Sequence, residues 1–179
     1  NYFFRMGSWQ DALVKQIEDN PEWIVPDVRR NEILGFLRQP LGDLSISRPK
    51  SRVSWGIELP FDSEHVAYVW VDALINYLTA SGAIDPAAAA GKQGFEDVSG
   101  SRWPADMHVI GKDILTTHSV YWPTLLMGVG LPVPSRILSH GWWVVGETKM
   151  SKSLGNVVDP LFLRDEFGPD AVRWHLMRE

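Results

Sequence analysis

The chain has 179 residues, of which 45% are hydrophobic and 22% are charged, a composition typical of one globular domain and not of a disordered segment. The net charge of -5 argues against a general nucleic-acid binder, and the absence of cysteine excludes disulfides, cysteine-ligated zinc and thiol nucleophiles. The longest apolar stretch, residues 120–133, contains two prolines and is too short to span a bilayer.

The first 47 residues predict two short helices and an edge strand. Ser8 is a suitable cap for a first helix over residues 8–19, and Pro26 suits the first turn of a second helix over 26–39. The apolar side of that second helix is expected to consist of Val28, Ile33, Leu34 and Leu37. Residues 44–47 alternate between apolar and polar side chains, a pattern that predicts an edge strand. We interpret this charged segment as an accessory layer.

From residue 66 onward, predicted strands and helices alternate. The strands are expected at 66–71, 107–110, 136–139 and 142–145, and the helices at 72–80, 113–127, 159–168 and from 169 onward. Asp113 is the expected cap of the second of these helices, and residues 85–102 are interpreted as a surface excursion. Such alternation favours a parallel sheet, and ligands bind such sheets at the carboxyl ends of the strands.

One loop in this second part carries a pattern suited to phosphate binding. Lys149 and Lys152 lie three residues apart beside Ser151, and glycines stand at 146 and 155. Lysine ammonium groups pair readily with phosphate oxygens, and flanking glycines allow a loop to close over a triphosphate and to reopen. A solvated polar turn is the alternative interpretation of any loop with two lysines and two serines.

The segment Lys149-Met150-Ser151-Lys152-Ser153 matches the second signature of class I aminoacyl-tRNA synthetases letter for letter. Within that class, the chain resembles methionyl-tRNA synthetases of the bacterial or organellar type through the blocks 68–77, 111–122 and 140–142. The resemblance implies an α/β fold, the C-terminal half of a Rossmann-like catalytic domain. By that resemblance, residues 1–47 would end the connective insertion, 48–158 would form the catalytic half and 159–179 would begin the helical stem.

The resemblance also implies roles for individual residues. The methionine side chain would be surrounded by Trp70, Ala73, Leu74, Tyr77, Ile114, His118 and Trp122. An aromatic pocket suits a polarizable thioether, to which His118 or the Tyr77 hydroxyl could donate a weak hydrogen bond. ATP would contact Lys149, Ser151, Lys152, Gly111, Asp113, Glu58 and His140, and the catalytic residues would be Lys152, Lys149 and Arg48.

Plainer interpretations of the same residues stay open. Ile114, His118 and Trp122 recur every four residues, as an ordinary helix core does. Asp113 could serve only as a helix cap, Arg48 as surface charge and His140 as a structural histidine at a strand end. The remaining histidines, His65, His108 and His175, are interpreted as structural.

The implied function is methionine–tRNA ligation with ATP and Mg²⁺, and methionine and tRNA(Met) are the expected partners. We expect no zinc site in this segment and no membrane or DNA partner. A cytoplasmic location, or the mitochondrial matrix, is expected. The chain lacks an initiator methionine and the family's first, His-Ile-Gly-His-like signature, which predicts an interior fragment that is inactive in isolation. The alternatives are a synthetase for leucine, isoleucine or valine, and a non-catalytic binding module derived from a synthetase.

Overall fold

The computed structural model describes residues 1–84 and 100–178, so most of the expected surface excursion at 85–102 lies outside the described residues. The chain divides into two units, Asn1–His140 and Gly141–Glu179. In the first unit, the N-terminal elements are β1 (Phe3–Phe4), a 3-10 turn (Met6–Trp9), α1 (Gln10–Asp19), β2 (Ile24–Val25) and α2 (Asp27–Phe36).

The two N-terminal helices are confirmed in position but not in every detail. Ser8 does not cap α1, because the backbone forms a 3-10 turn through it and Trp9 takes the cap position. Pro26 is the cap residue of α2, while Val28 is exposed instead of lying on the buried side with Ile33. Strand β2 between the helices has only two residues, too short a pattern for sequence periodicity to detect.

The middle of the first unit is an antiparallel layer followed by a helix. Its elements are β3 (Leu44–Ser45), β4 (Ser47–Pro49), β5 (Glu58–Leu59), β6 (Asp62–Ala67) and α3 (Val69–Ala80). Strand β6 pairs with both β4 and β5, and β3 pairs with β1. The expected edge strand at 44–47 is therefore two strands in two different sheets.

The expected strand at 66–71 is wrong in both its bounds and its sheet. Strand β6 ends at Ala67 and is antiparallel, and α3 already begins at Val69. The β-branched Val69 and Val71 favour a strand locally, but burial of Leu74 and Leu78 along one helix face outweighs that preference.

A parallel sheet completes the first unit, as the alternating pattern predicts. Strand β7 (His108–Gly111) leads into a helical segment that ends in α4 (Trp122–Gly128), and β8 (Ile137–His140) follows. Strand β8 lies between β2 and β7 and is parallel to both. The helix expected at 113–127 is irregular: it opens with a 3-10 turn (Lys112–Ile114), and a π turn (Thr117–Tyr121) precedes α4. Asp113 lies inside the first turn, so it is not the cap.

The second unit consists of a hairpin and two helices. Strands β9 (Val144–Val145) and β10 (Thr148–Lys149) pair antiparallel, and a 3-10 turn (Lys152–Leu154) follows them. Helix α5 (Pro160–Phe167) begins and ends where the Asp159 and Gly168 signals predict, and α6 (Pro169–Arg178) begins at Pro169 as predicted. Asp159 caps α5 by accepting a hydrogen bond from the Leu161 amide at 2.8 Å.

Two hydrophobic clusters form the core of the first unit. One joins α1 and α2 to the parallel sheet through residues such as Leu13, Ile17, Ile24 and Ile137, all fully buried. The other packs α3 against α4 and consists of Leu74, Leu78, Ala83, Trp122 and Leu126. The second cluster fixes the distance between the two segments that carry the predicted methionine pocket.

Candidate active site

A partly buried hydrogen bond joins α3 to the π turn. The Tyr77 hydroxyl lies 2.9 Å from Nε2 of His118, and Nδ1 of His118 lies 3.0 Å from the Ile114 carbonyl. Since a carbonyl can only accept, Nδ1 must carry the proton. Burial lowers the pKa of His118, which keeps the ring neutral, so Nε2 is an acceptor and Tyr77 is the donor. Both protons that the pair offers are therefore engaged inside the protein.

Other aromatic rings surround this pair. The Tyr77 ring lies 4.3 Å from that of His108 and 6.1 Å from that of Trp122, measured between centroids. The Trp103 ring is 5.8 Å from Trp122 in an edge-to-face arrangement, which is favourable for aromatic pairs. The structure thus brings together three of the seven predicted methionine-site residues and adds two that the sequence reasoning did not select, Trp103 and His108.

His108 is the most perturbed group of this aromatic cluster. It is 5% exposed, and burial, together with the neighbouring His118, lowers its pKa to about 4. Within the described part of the chain, its Nε2 has no hydrogen-bond partner, and neither does Nε1 of Trp122. Buried polar atoms without partners are uncommon in folded proteins. Side chains alternate between the two faces of a strand, so His108 and Val109 lie on opposite faces of β7. In the structure His108 is buried and Val109 is exposed.

The other predicted methionine-site residues line the same helices. Trp70, Ala73, Leu74 and Tyr77 fall on one face of α3. Leu74 is 2% exposed within the cluster that contains Trp122, whereas Trp70 is half-buried and Ala73 is exposed. Ile114 is half-buried and contributes its carbonyl to His118. This face therefore combines the buried Leu74 with the half-buried Trp70 and Tyr77, and Tyr77 contacts the buried His118.

The carboxyl ends of two parallel strands bring a second group of residues together. Gly111 ends β7, His140 ends β8, and the two are paired in the sheet register. A Cβ on residue 111 would lie 2.6 Å from the Asp113 carboxylate and 3.8 Å from Cε1 of His140. A side chain at residue 111 would therefore displace the Asp113 carboxylate from its position. This edge of the sheet is where α/β proteins bind ligands.

Arg48 and Glu58 lie on the antiparallel layer. Arg48 donates to the Ser45 hydroxyl at 2.6 Å and to the Ser47 carbonyl at 2.7 Å, and its guanidinium lies 3.9 Å from the centroid of the Tyr68 ring. These contacts hold a half-buried arginine in one orientation, unlike a freely solvated surface charge. Glu58 is exposed and forms an ion pair with Lys50.

The lysine loop of the second unit is an ordered hairpin. Asn156 closes it, since its side chain accepts from the Ser151 amide at 2.8 Å and donates to the Lys149 carbonyl at 3.2 Å. The Ser151 and Ser153 hydroxyls lie 2.7 Å apart. Gly155 has a φ of +66°, a conformation that glycine adopts without strain. Sequence reasoning did not select Asn156, although its position directly after this glycine was a signal of local turn bonding.

The Nζ atom of Lys149 lies 4.0 Å from the centroid of the Trp142 ring. Lys152 lies in the 3-10 turn and is exposed. Lys152, which the resemblance places first for the pyrophosphate contact, and Lys149, which it places second, therefore have different surroundings.

Two surface cavities lie away from these residues. The larger, about 460 Å³, is next to Trp23 and Arg136, and the smaller, about 360 Å³, is next to Phe36 and Tyr121. Across residues 1–84 and 100–178, no group of three or more His, Asp or Glu side chains could hold a metal ion. In the same residues, no helix is long and apolar enough to cross a bilayer.

Comparison with known sequences gives whole-chain matches. The family model described as "tRNA synthetases class I (M)" matches residues 1–179. The chain is 49% identical, over its full length, to proteins named "Methionine--tRNA ligase" from Rickettsia conorii and Rhizobium meliloti, and it covers 33% of each. It is also 49% identical to "Probable methionine--tRNA ligase, mitochondrial" from Neurospora crassa, covering 99% of this chain and 27% of that protein. The chain thus spans about a third or less of these curated relatives.

Solved structures give the same result. Methionyl-tRNA synthetase of Mycobacterium tuberculosis bound by methionyl-adenylate matches with a TM-score of 0.84 and 45% identity, over 99% of this chain and 33% of that one. The free form of the same synthetase matches with a TM-score of 0.77 and 40% identity, over 99% and 32% of the two chains.

Proposed function

The chain belongs to the class I (M) family of tRNA synthetases, and we propose that the complete gene product is a methionine–tRNA ligase that activates methionine with ATP and transfers it to tRNA(Met). The observation that carries this proposal is the Tyr77–His118 hydrogen bond of 2.9 Å. It joins the two segments that the family resemblance assigns to opposite walls of one methionine pocket. The aromatic rings around it suit a polarizable thioether.

The proposed reaction has two steps. A carboxylate oxygen of methionine attacks the α-phosphorus of ATP, a new P–O bond forms, the bond to the β-phosphate breaks and pyrophosphate leaves. A ribose hydroxyl at the tRNA 3′ end then attacks the carbonyl carbon of the adenylate, and AMP leaves. Mg²⁺ enters with ATP as part of the substrate. The protein supplies no nucleophile; its side chains position the reactants and stabilise the developing charge.

Each group of residues takes one part of this reaction in our proposal. Trp70, Ala73, Leu74, Tyr77, Ile114, His118 and Trp122 enclose the methionine side chain. At the carboxyl ends of the parallel strands, Gly111 lets the nucleotide approach the backbone, while Asp113 and His140 contact the adenosine, with Glu58 as a further ribose contact. The tethered guanidinium of Arg48 assists methionine activation. Lys152 and then Lys149, with Ser151, stabilise charge on the leaving pyrophosphate.

Replacing one lysine of the loop tests the proposal. In the complete gene product, Lys152→Ala should lower the rate of methionine-dependent ATP–pyrophosphate exchange about a hundredfold, which corresponds to roughly 3 kcal/mol of transition-state stabilisation. Lys15→Ala is the matched control, because Lys15 is exposed and lies in α1, where it forms an i,i+4 ion pair with Asp19. Near-normal exchange by Lys152→Ala would reject the role of the loop. No exchange by the unaltered protein would reject the enzyme and favour a binding module.

Competition among amino acids tests the identity of the substrate. The unaltered protein should activate methionine in preference to leucine, isoleucine and valine when all four are present. A preference for leucine would reject the methionine pocket while leaving the family intact.

We also propose a cytoplasmic or mitochondrial-matrix location. Its support is that the relatives include bacterial proteins and one named mitochondrial. Fractionation of the source cells would test it, and recovery of the protein outside these compartments would reject it.

A further inference from the structure

The ammonium group of Lys149 lies over the face of an indole. Its Nζ is 4.0 Å from the centroid of the Trp142 ring, well inside the distance at which a cation is attracted to an aromatic face. Both residues belong to the second unit, and Trp142 is 46% exposed. The attraction is therefore that of a solvent-accessible pair, which tethers the lysine without removing it from water.

The hairpin register explains why these two side chains meet. Lys149 pairs with Val144, and the Met150 amide donates to the Trp143 carbonyl at 3.1 Å, so the antiparallel alignment extends past β9. Trp142 is two residues before Val144, which makes it the diagonal neighbour of Lys149 on the same face of the hairpin. Trp143 points to the opposite face, where its ring lies 6.1 Å from that of His175.

Tethering matters because a free lysine side chain samples many rotamers. Ordering it costs conformational free energy at the moment when it meets the phosphate. A lysine that already lies along an indole loses part of that freedom before ATP arrives, and its remaining N–H groups still face solvent. A positioned cation of this kind stabilises developing charge with less reorganisation.

We propose that Trp142 is a positioning residue that holds Lys149 ready for the triphosphate, an inference that rests on the proposed function. The two lysines of the loop are positioned differently: Lys149 is preorganised by β10 and the indole, and Lys152 lies in the 3-10 turn. Trp142 touches no substrate in this proposal. Its whole effect on the reaction passes through Lys149.

A double-mutant cycle on the complete gene product tests this. Trp142→Leu should lower the rate of methionine-dependent ATP–pyrophosphate exchange about two- to fivefold, the range that an exposed cation–π contact supports. Trp142→Phe, which keeps an aromatic face, should recover part of that loss. In a Lys149→Met background, Trp142→Leu should have no further effect on the exchange rate, because the cation that the indole positions is already absent. An equal loss in both backgrounds would overturn the proposal, and so would a faster rate in Trp142→Leu, since the indole would then be sequestering the lysine.

Trp143→Leu is the matched control, as it removes the neighbouring indole from the other face of the hairpin. It should not couple to Lys149→Met. If Trp143→Leu couples as strongly as Trp142→Leu, the effect is one of hairpin stability and the proposal fails.

A second measurement keeps the inference separate from the proposed function. NMR of ¹³C-labelled lysine should find the ε-methylene protons of Lys149 shifted upfield by the indole ring current, and Trp142→Leu should remove the shift. An absent shift overturns the tether whether or not the protein activates methionine. A shift in a protein without exchange activity overturns the proposed function, and with it the positioning role of Trp142 in the reaction.

Discussion

Removing the Tyr77 hydroxyl is the sharpest test of the pocket. Tyr77→Phe leaves the ring and its contacts with His108 and Trp122 in place but deletes the only donor to Nε2 of His118 found among the described residues. His118 is 3% exposed, so water does not readily replace that donor. A buried acceptor left without a partner costs about 1–3 kcal/mol.

This cost should appear in methionine binding. In the free variant, the His118 ring can turn to find another partner for Nε2, and methionine binding must return the ring to its place in the pocket wall. The Michaelis constant for methionine in ATP–pyrophosphate exchange should therefore rise about tenfold, the equivalent of about 1.4 kcal/mol, within a range of about 5- to 150-fold. The constant for ATP should stay within about twofold, because the hydroxyl does not contact the nucleotide in the proposed arrangement.

Two further variants control the measurement. Tyr2→Phe deletes an equally short hydrogen bond, 2.9 Å to Asp62, at an exposed position, and it should leave the methionine constant unchanged. Replacing both partners, Tyr77→Phe with His118→Phe, removes the orphaned acceptor, so it should be no worse than the single variant. An unaltered Michaelis constant for methionine in Tyr77→Phe would refute the role of the Tyr77–His118 pair. If the effects of Tyr77→Phe and His118→Phe on that constant were strictly additive in the double variant, the desolvation argument would be refuted.

Two other substitutions probe the rest of the first unit. Gly111→Ala should raise the Michaelis constant for ATP about tenfold, because its Cβ would lie 2.6 Å from the Asp113 carboxylate, whereas Gly35→Ala meets nothing within 4 Å and should have no such effect. The pKa of about 4 for His108 lies below the ordinary value of 6.5, so the folded state binds fewer protons between these values and stability falls as pH falls through that window. Urea denaturation should show that the free energy of unfolding falls between pH 7 and pH 5 in both proteins. The fall should be larger in the unaltered protein than in His108→Phe, by at most about 2 kcal/mol. Equal losses in the two proteins would contradict the buried neutral state of His108.

Local signals in the sequence are sufficient to predict helix bounds where the backbone geometry depends only on neighbouring residues. Asp159-Pro160 and Gly168-Pro169 fix the bounds of α5 and α6, since cap bonds and fixed proline φ angles need no distant partner. The resemblance to class I methionyl-tRNA synthetases is confirmed by the whole-chain matches, and the α/β fold with a parallel sheet is confirmed by the structure and its 0.84 TM-score match.

The start of α3 could not be predicted in the same way. Residues 68–71 are rich in β-formers, yet they begin a helix whose Leu74 and Leu78 bury against α4. The π turn at Thr117–Tyr121 is likewise set by packing, since no residue type marks it in the sequence. In both places tertiary burial outweighs local preference.

The residues of the proposed methionine pocket can be named from the sequence through the family resemblance, but their hydrogen bonding cannot. Spacing alone indicated that Ile114, His118 and Trp122 share a helix face, and it left the His118 tautomer undefined. Only the Ile114 carbonyl at 3.0 Å fixes the proton on Nδ1. That contact is what assigns Tyr77 as donor and not as acceptor.

The same assignment bears on how the proposed pocket would distinguish methionine from leucine. A hydrogen bond to the thioether would need the Tyr77 hydroxyl to leave His118, which would orphan a buried nitrogen at a cost of about 1–3 kcal/mol. A sulfur acceptor is weak and does not recover that cost. Selectivity should then come from shape and from sulfur–aromatic contacts with rings such as Trp122, contacts worth about 0.3–1.5 kcal/mol each. Tyr77→Phe should accordingly weaken activation of methionine and leucine by the same factor. A change in the ratio of their kcat/KM values would instead mean that the hydroxyl turns toward the sulfur when methionine binds.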